Sequence, residues 1–258
     1  LIKLFKIKKV MNQNTEAQWE QLMTYINDYV SGARKEALVK MYEKLADRVL
    51  TAPASSHSTR HNCWPGGYID HVNRVVKCAL ELHTTWDKLG SNTKTFTKEE
   101  LVFAAINHDL GKVGSSTDDY YVPNDSDWHV KRGQIYKINP KLQFMKVPDR
   151  SIFLLQEHGV EFSENEYLAI KLHDGLYSKG NESYLMAGLP EFSLKTDLPI
   201  LLHHSDHLAT LIEANLQHQP EVVEVPSTPN RIKSKLTNVN NPAVDDSLKS
   251  AFDKIFGE

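Results

Sequence analysis

Residues 97–112 read TKEELVFAAINHDLGK. Thr97 and Glu100 form the pattern in which a hydroxyl caps a helix start and a glutamate three residues on reaches back to the cap. Apolar residues follow through Leu101 and Ala105 to His108, and Gly111 interrupts the run. The stretch predicts a helix that buries one side and ends on a neighbouring imidazole and carboxylate, His108 and Asp109.

The same signals recur on both sides. Residues 15–30 place Trp19, Leu22, Met23, Ile26 and Val30 at helical spacing, and after Ser31-Gly32 a second helix carries Ala37, Leu38, Met41, Leu45 and Val49 until Pro53 stops it. Residues 53–66, PASSHSTRHNCWPG, read as a polar loop, and residues 67–89 as a helix. Residues 114–128 are polar. Residues 129–146 alternate in part, with Arg132-Gly133 and Asn139-Pro140 as turn signals, and predict a small β-hairpin insertion. Ser151 opens a short helix to His158. Ser163 and Glu166 repeat the capping box before a helix to about His173, residues 174–195 read as loop, and residues 199–217 as a strongly apolar helix. Pro220, Pro226, Pro229 and Pro242 mark an extended connector, and Val244, Leu248, Ala251, Phe252, Ile255 and Phe256 share one face of a terminal docking helix. The expectation is an all-α fold with three parts. Residues 1–50 are a tail and helices packed on the core, 51–217 the core itself, and 218–258 the connector and docking helix.

Composition narrows the function. The 258 residues carry 30 Lys and Arg against 33 Asp and Glu, a balance that supplies no basic field for a polyanion. The two cysteines, Cys63 and Cys78, form no CxxC pair, so neither a disulfide framework nor a zinc knuckle is expected and a reducing cytoplasm is. The apolar runs of the opening LIKLFKIKKV are too short for a signal core or a membrane span, and no membrane partner is expected.

The chemistry lies in the histidines. His71 shares an apolar face with Val75, Cys78 and Leu82. His108 ends its helix beside Asp109, and Asp206 falls in line with Leu202 and Ala209. Buried imidazoles and carboxylates are costly unless paired or bound to a metal. Two of each, on three inward helix faces, suit one divalent ion, with Mn, Fe, Co, Zn and Mg all candidates.

These pieces resemble a known family. Pro65-Gly66-Gly67-Tyr68-Ile69-Asp70-His71, then Ala104-Ala105-Ile106-Asn107-His108-Asp109-Leu110-Gly111-Lys112, then Leu201-Leu202-His203-His204-Ser205-Asp206 look like the HD-domain metal-dependent phosphohydrolases over residues 50–215. The pattern is nearest to HD proteins of phages and bacteria, which implies a cytoplasmic location, the host's for a phage protein. The resemblance implies an HD-type helical bundle and a metal held by His71, His108, Asp109 and Asp206. Asp109 would also orient or deprotonate the attacking water, and Lys112 would meet a phosphate oxygen. Two-metal members carry two further histidines. His173 matches the second, but Val147-Pro148-Asp149-Arg150-Ser151 stands where the first belongs. One ion is therefore expected, with His173 as a donor to the leaving group or a phosphate and Asp149 as the remaining oxygen available to a second ion.

Around that centre, Arg60, His61 and Trp64 are the expected substrate contacts. The 129–146 hairpin, with Trp128, Lys131 and Arg132, is a candidate cover. One of His203, His204 and His207 is expected to support the ligands, and His158, beside Gly159, to take a surface or helix-capping role. The expected function is hydrolysis of a phosphate ester or anhydride of a nucleotide, as a phosphomonoesterase or (d)NTP hydrolase. The alternatives are a 3′–5′ exonuclease on single-stranded nucleic acid and a non-catalytic nucleotide sensor; homo-oligomerisation is left open.

Overall fold

A computed structural model describes residues 13–186 and 188–217. The order is α1 (Gln13–Tyr29), α2 (Gly32–Val49), α3 (Gly67–Leu89), α4 (Lys98–Asn107), β1 (Tyr121–Pro123), α5 (Asp127–Lys131), β2 (Tyr136–Ile138), α6 (Val147–Glu157), α7 (Glu164–Leu172), α8 (Glu182–Leu185) and α9 (Leu198–Gln217). Short 3₁₀ turns follow α4 and α7, at Leu110–Val113 and Gly175–Tyr177. The fold is all-α with one small sheet, as expected. The connector and docking helix predicted for 218–258, and the residues before 13, lie outside the described residues.

Helix α3 is the centre. It packs on α9, α4 and α1, while α7 packs on α4 and α9. The contact is apolar because Val72, Val75 and Val76 of α3 meet Leu101, Ala104 and Ala105 of α4 and Leu201 and Leu202 of α9 in one cluster of fully buried side chains. Each such valine or leucine contributes about 1.5–3 kcal/mol on leaving water.

Both predicted capping boxes are formed. Thr97 accepts from the Glu100 N–H and Ser163 from the Glu166 N–H, and each glutamate accepts from the cap's own N–H. The two helix starts are also joined. Ser163 Oγ donates to Glu100 Oε1 at 2.7 Å, and Arg34 of α2 pairs with Glu99 at 2.6 Å and Glu166 at 3.0 Å. α4 and α7 thus leave one anchored end and run to the same place.

The hairpin expectation needs correction. β2 pairs antiparallel with β1, upstream of the predicted segment, in the register Tyr121 to Ile138, and residues 127–131 between them are helical. Three-residue strands bury too little to leave a clear alternation in the sequence. The insertion leans on the loop before α3, where the Ser58 N–H donates to Gly133 O and the Tyr136 N–H to Ser56 O. The Arg132 guanidinium lies 4.0 Å over the Trp128 ring. Trp128, Lys131 and Arg132 do not line the cleft described below. Both cysteines are free, and among the described residues no helix is long and apolar enough to cross a membrane.

Candidate metal centre

Three buried imidazoles are tied down in the same way. His108 Nδ1 donates to Ala105 O at 2.8 Å, and His173 Nδ1 donates to Ile170 O at 2.8 Å. A carbonyl only accepts, so a proton sits on Nδ1 and each ring turns its Nε2 the other way. His71 Nδ1 lies 3.1–3.2 Å from both oxygens of Glu213, which fixes it in the same sense. Two of these histidines end helices α4 and α7, where main-chain carbonyls lack helical partners, so each imidazole closes its own helix end.

The three Nε2 atoms meet two carboxylates. His71 Nε2 is 3.1 Å from Asp206 Oδ1 and 3.6 Å from Asp109 Oδ2, and His108 Nε2 is 3.5 Å from Asp109 and 3.9 Å from Asp206. His173 Nε2 lies 3.6 Å from the other Asp109 oxygen. The ligand atoms of His71, His108 and Asp109 all fall within 4.8 Å of one another, as do those of His108, His173 and Asp206. The four residues predicted to hold an ion therefore converge, with His173 beside them.

The chemistry of this set fits a divalent cation. His71 Nε2 and His108 Nε2 are buried and make no hydrogen bond, a costly state for a core polar atom and the required state for a ligand. The charges agree. Burial works against an imidazolium at His71, but Asp206 and Glu213 outweigh it and lift the group to about 10. Burial likewise opposes charge at His173, and Asp109 and Asp174 lift it to about 9. Burial alone would raise Asp109, yet Lys112 and His108 hold it well below the usual carboxylate range; His71 and His108 do the same for Asp206. Without an ion, two protons must supply the positive charge that a divalent metal would bring.

The turn carrying His108 and Asp109 is fastened to α6. Fully buried Ser151 accepts from the Gly111 N–H at 2.8 Å and donates to His108 O at 3.0 Å. Gly111 allows the approach, since a Cβ there would stand 2.3 Å from Val147 O. Lys112 then reaches back to Asp109 Oδ2 at 2.5 Å. Gly175 plays a similar part after His173. Its φ is +56°, and a Cβ would stand 2.5 Å from the ring of His203, whose Nδ1 donates to His173 O at 2.7 Å. His203 is thus the supporting histidine, while His204 and His207 are exposed.

A cleft of about 540 Å³ opens on the cluster, bordered by Asp109, Lys112, His173, Asp206 and His61. Lys146 and Lys179 add positive charge at its rim, and Phe144 and Tyr177, each 82% exposed, border it too. The sequence did not single out these four or Glu213. Of the predicted substrate loop only His61 faces the cleft, its ring 4.7 Å from that of His71 and held neutral, at about 3, first by burial and then by His71 and Lys112. Arg60 and Trp64 are exposed and do not border it; between them, Asn62 takes a left-handed backbone with φ +47°. Asp149 pairs with Lys171 and does not face the cleft, so it supplies no oxygen there. His158 sits at the C-cap of α6 as expected. Comparison of the chain with protein-family models, curated proteins and solved structures returned no match.

Proposed function

We propose that the chain is a metal-dependent phosphohydrolase of the HD-domain type, acting on a phosphate ester or anhydride of a nucleotide. One observation carries the reading: three imidazoles with Nδ1 occupied turn Nε2 onto two carboxylates beside a lysine-bordered cleft. A merely structural polar core would satisfy its own atoms, and two of these nitrogens make no hydrogen bond. His71, His108, Asp109 and Asp206 would hold one ion. A bound divalent metal lowers the pKa of a water and polarises a phosphoryl oxygen.

The chain's own groups do the rest. Asp109, kept ionised by its surroundings, accepts the proton of the attacking water as the new oxygen–phosphorus bond forms. Lys112 places its charge on a non-bridging oxygen, where negative charge grows. His173 donates to the leaving oxygen as its bond to phosphorus breaks. Lys146 and Lys179 hold further phosphate oxygens, and Phe144 and Tyr177 offer ring faces to a base.

The test is phosphate release by the full chain with Mn²⁺ or Co²⁺, against nucleotides and short single-stranded DNA and RNA. Release from nucleotides that vanishes with EDTA and in Asp109→Ala is the expected result. Inactivity on every nucleotide overturns the reading, and processive degradation of single strands with nucleotides untouched replaces it by the exonuclease.

A further inference from the structure

Glu213 lies two turns beyond Asp206 on α9 and is 1% exposed. An ionised carboxylate so placed needs partners, and it has two. Both its oxygens face His71 Nδ1, at 3.2 and 3.1 Å, and Arg74 Nε donates to Oε1 at 3.1 Å. Arg74 is itself held, donating to Asp70 Oδ2 at 3.3 Å, and the Asp70 oxygens also accept from Asn62 Nδ2 and Gln18 Nε2, each at 2.9 Å. The Arg74 side chain is 26% exposed, so the line runs from solvent through Arg74 and Glu213 to His71 and stops at the cluster. Glu213 does not border the cleft and cannot touch a substrate there.

His108 and His173 are oriented by main-chain carbonyls, and His71 by a charged side chain. A full carboxylate on Nδ1–H draws that proton away from the ring and makes Nε2 a stronger electron-pair donor than a carbonyl would. It also opposes the other tautomer, whose bare Nδ1 lone pair would face the Glu213 carboxylate. Arg74 fixes which way the carboxylate faces. We infer that Glu213 is the positioning residue that sets how tightly this centre holds its ion, by locking the His71 lone pair onto the cluster, with Arg74 holding Glu213 in turn. The inference rests on the metal reading of the site. It makes α9 a double contributor, offering a ligand at Asp206 and the orienter of another helix's ligand seven residues later.

The experiment is calorimetric titration of Co²⁺ into the full-length chain after EDTA stripping, with melting in EDTA measured on every variant. Glu213→Gln keeps the shape and one acceptor oxygen but loses the charge, and should weaken Co²⁺ binding about 10–100-fold. Glu213→Leu should weaken it further. Arg74→Ala, at the solvent end, should weaken it by less than Glu213→Gln while melting in EDTA like wild type. Wild-type affinity in both Glu213→Gln and Arg74→Ala overturns the inference and leaves the metal reading standing. So does a loss of affinity confined to variants whose melting in EDTA collapses. A wild-type chain that binds no Co²⁺ ends both.

Discussion

Replacing Ser151 with alanine deletes one oxygen from the seam between α6 and the turn at Leu110–Val113. That oxygen is fully buried, accepts from the Gly111 N–H at 2.8 Å and donates to His108 O at 3.0 Å. Its one proton has a second carbonyl within reach, Val147 O at 3.0 Å, so a single donated bond is lost. The larger effect is the Gly111 N–H, left in the core without an acceptor. Such an orphan costs about 1–3 kcal/mol. For a domain of this size each kcal/mol moves the melting temperature by roughly 2–4 °C, so Ser151→Ala should melt roughly 2–12 °C lower. The turn also carries Asp109 and Lys112. A misplacement of about 1 Å at a catalytic group costs up to about 10²-fold, so hydrolysis should fall by about 10–100-fold. Calorimetry or circular-dichroism melts, with and without metal, give the first number and steady-state kinetics the second. A variant melting within about 1 °C of wild type at full activity would refute the claim that α6 holds the turn.

Other outcomes follow from the same geometry. Asp109→Ala should lower phosphate release by roughly 10³-fold or more, since one side chain is both ligand and proton acceptor; near-normal turnover would place the activity elsewhere. Lys112→Ala should cost about 10–10³-fold as a single charge contact, and an equal loss in both variants would argue against separate roles. In EDTA, stability should depend on pH through His71 and His173, held at about 10 and about 9. Both are raised in the fold, so their contribution is complete below the unfolded value of about 6.5. It is lost as pH climbs through 9 and 10, and a metal-free melting temperature flat across that window would contradict it. Saturating metal should raise the melting temperature, by about 2.7 kcal/mol of stability at a hundred times Kd, and no shift on adding Mn²⁺, Co²⁺ or Zn²⁺ would count against the centre.

Much of this was legible in the chain because the signals are local. A capping box is four residues long, and both Thr97–Glu100 and Ser163–Glu166 were visible and formed. His71, Asp206 and the His108-Asp109 pair stood out as polar groups on apolar faces. Glu213 obeys the same rule on the same helix as Asp206, and its signal was available but masked by the more conspicuous histidines around it. Ser151 carried no signal, since a serine in a short helix is ordinary until tertiary packing brings a buried N–H to it. The cleft rim was invisible for a similar reason. Phe144 and Tyr177 sit in unrelated loops and border one cleft only because α6 and α7 pack together.

The helices that deliver His108 and His173 are closed at both ends by side chains. Each has a capping box at its start, a ring N–H on its own carbonyl at its finish, and the two starts are bridged by Ser163 and Glu100. Such a segment behaves as a ruler of fixed length. One residue inserted into α4 would advance its end by about 1.5 Å and rotate it by roughly 100°, carrying the imidazole off the cluster. The centre is therefore more exposed to changes in chain length than to conservative changes in composition. A scan of single-residue insertions should find residues 97–108 and 163–173 closed to them, while the turns at 117–119 and 140–143, where exposed and half-buried residues mix, accept extra residues with the ligands undisturbed.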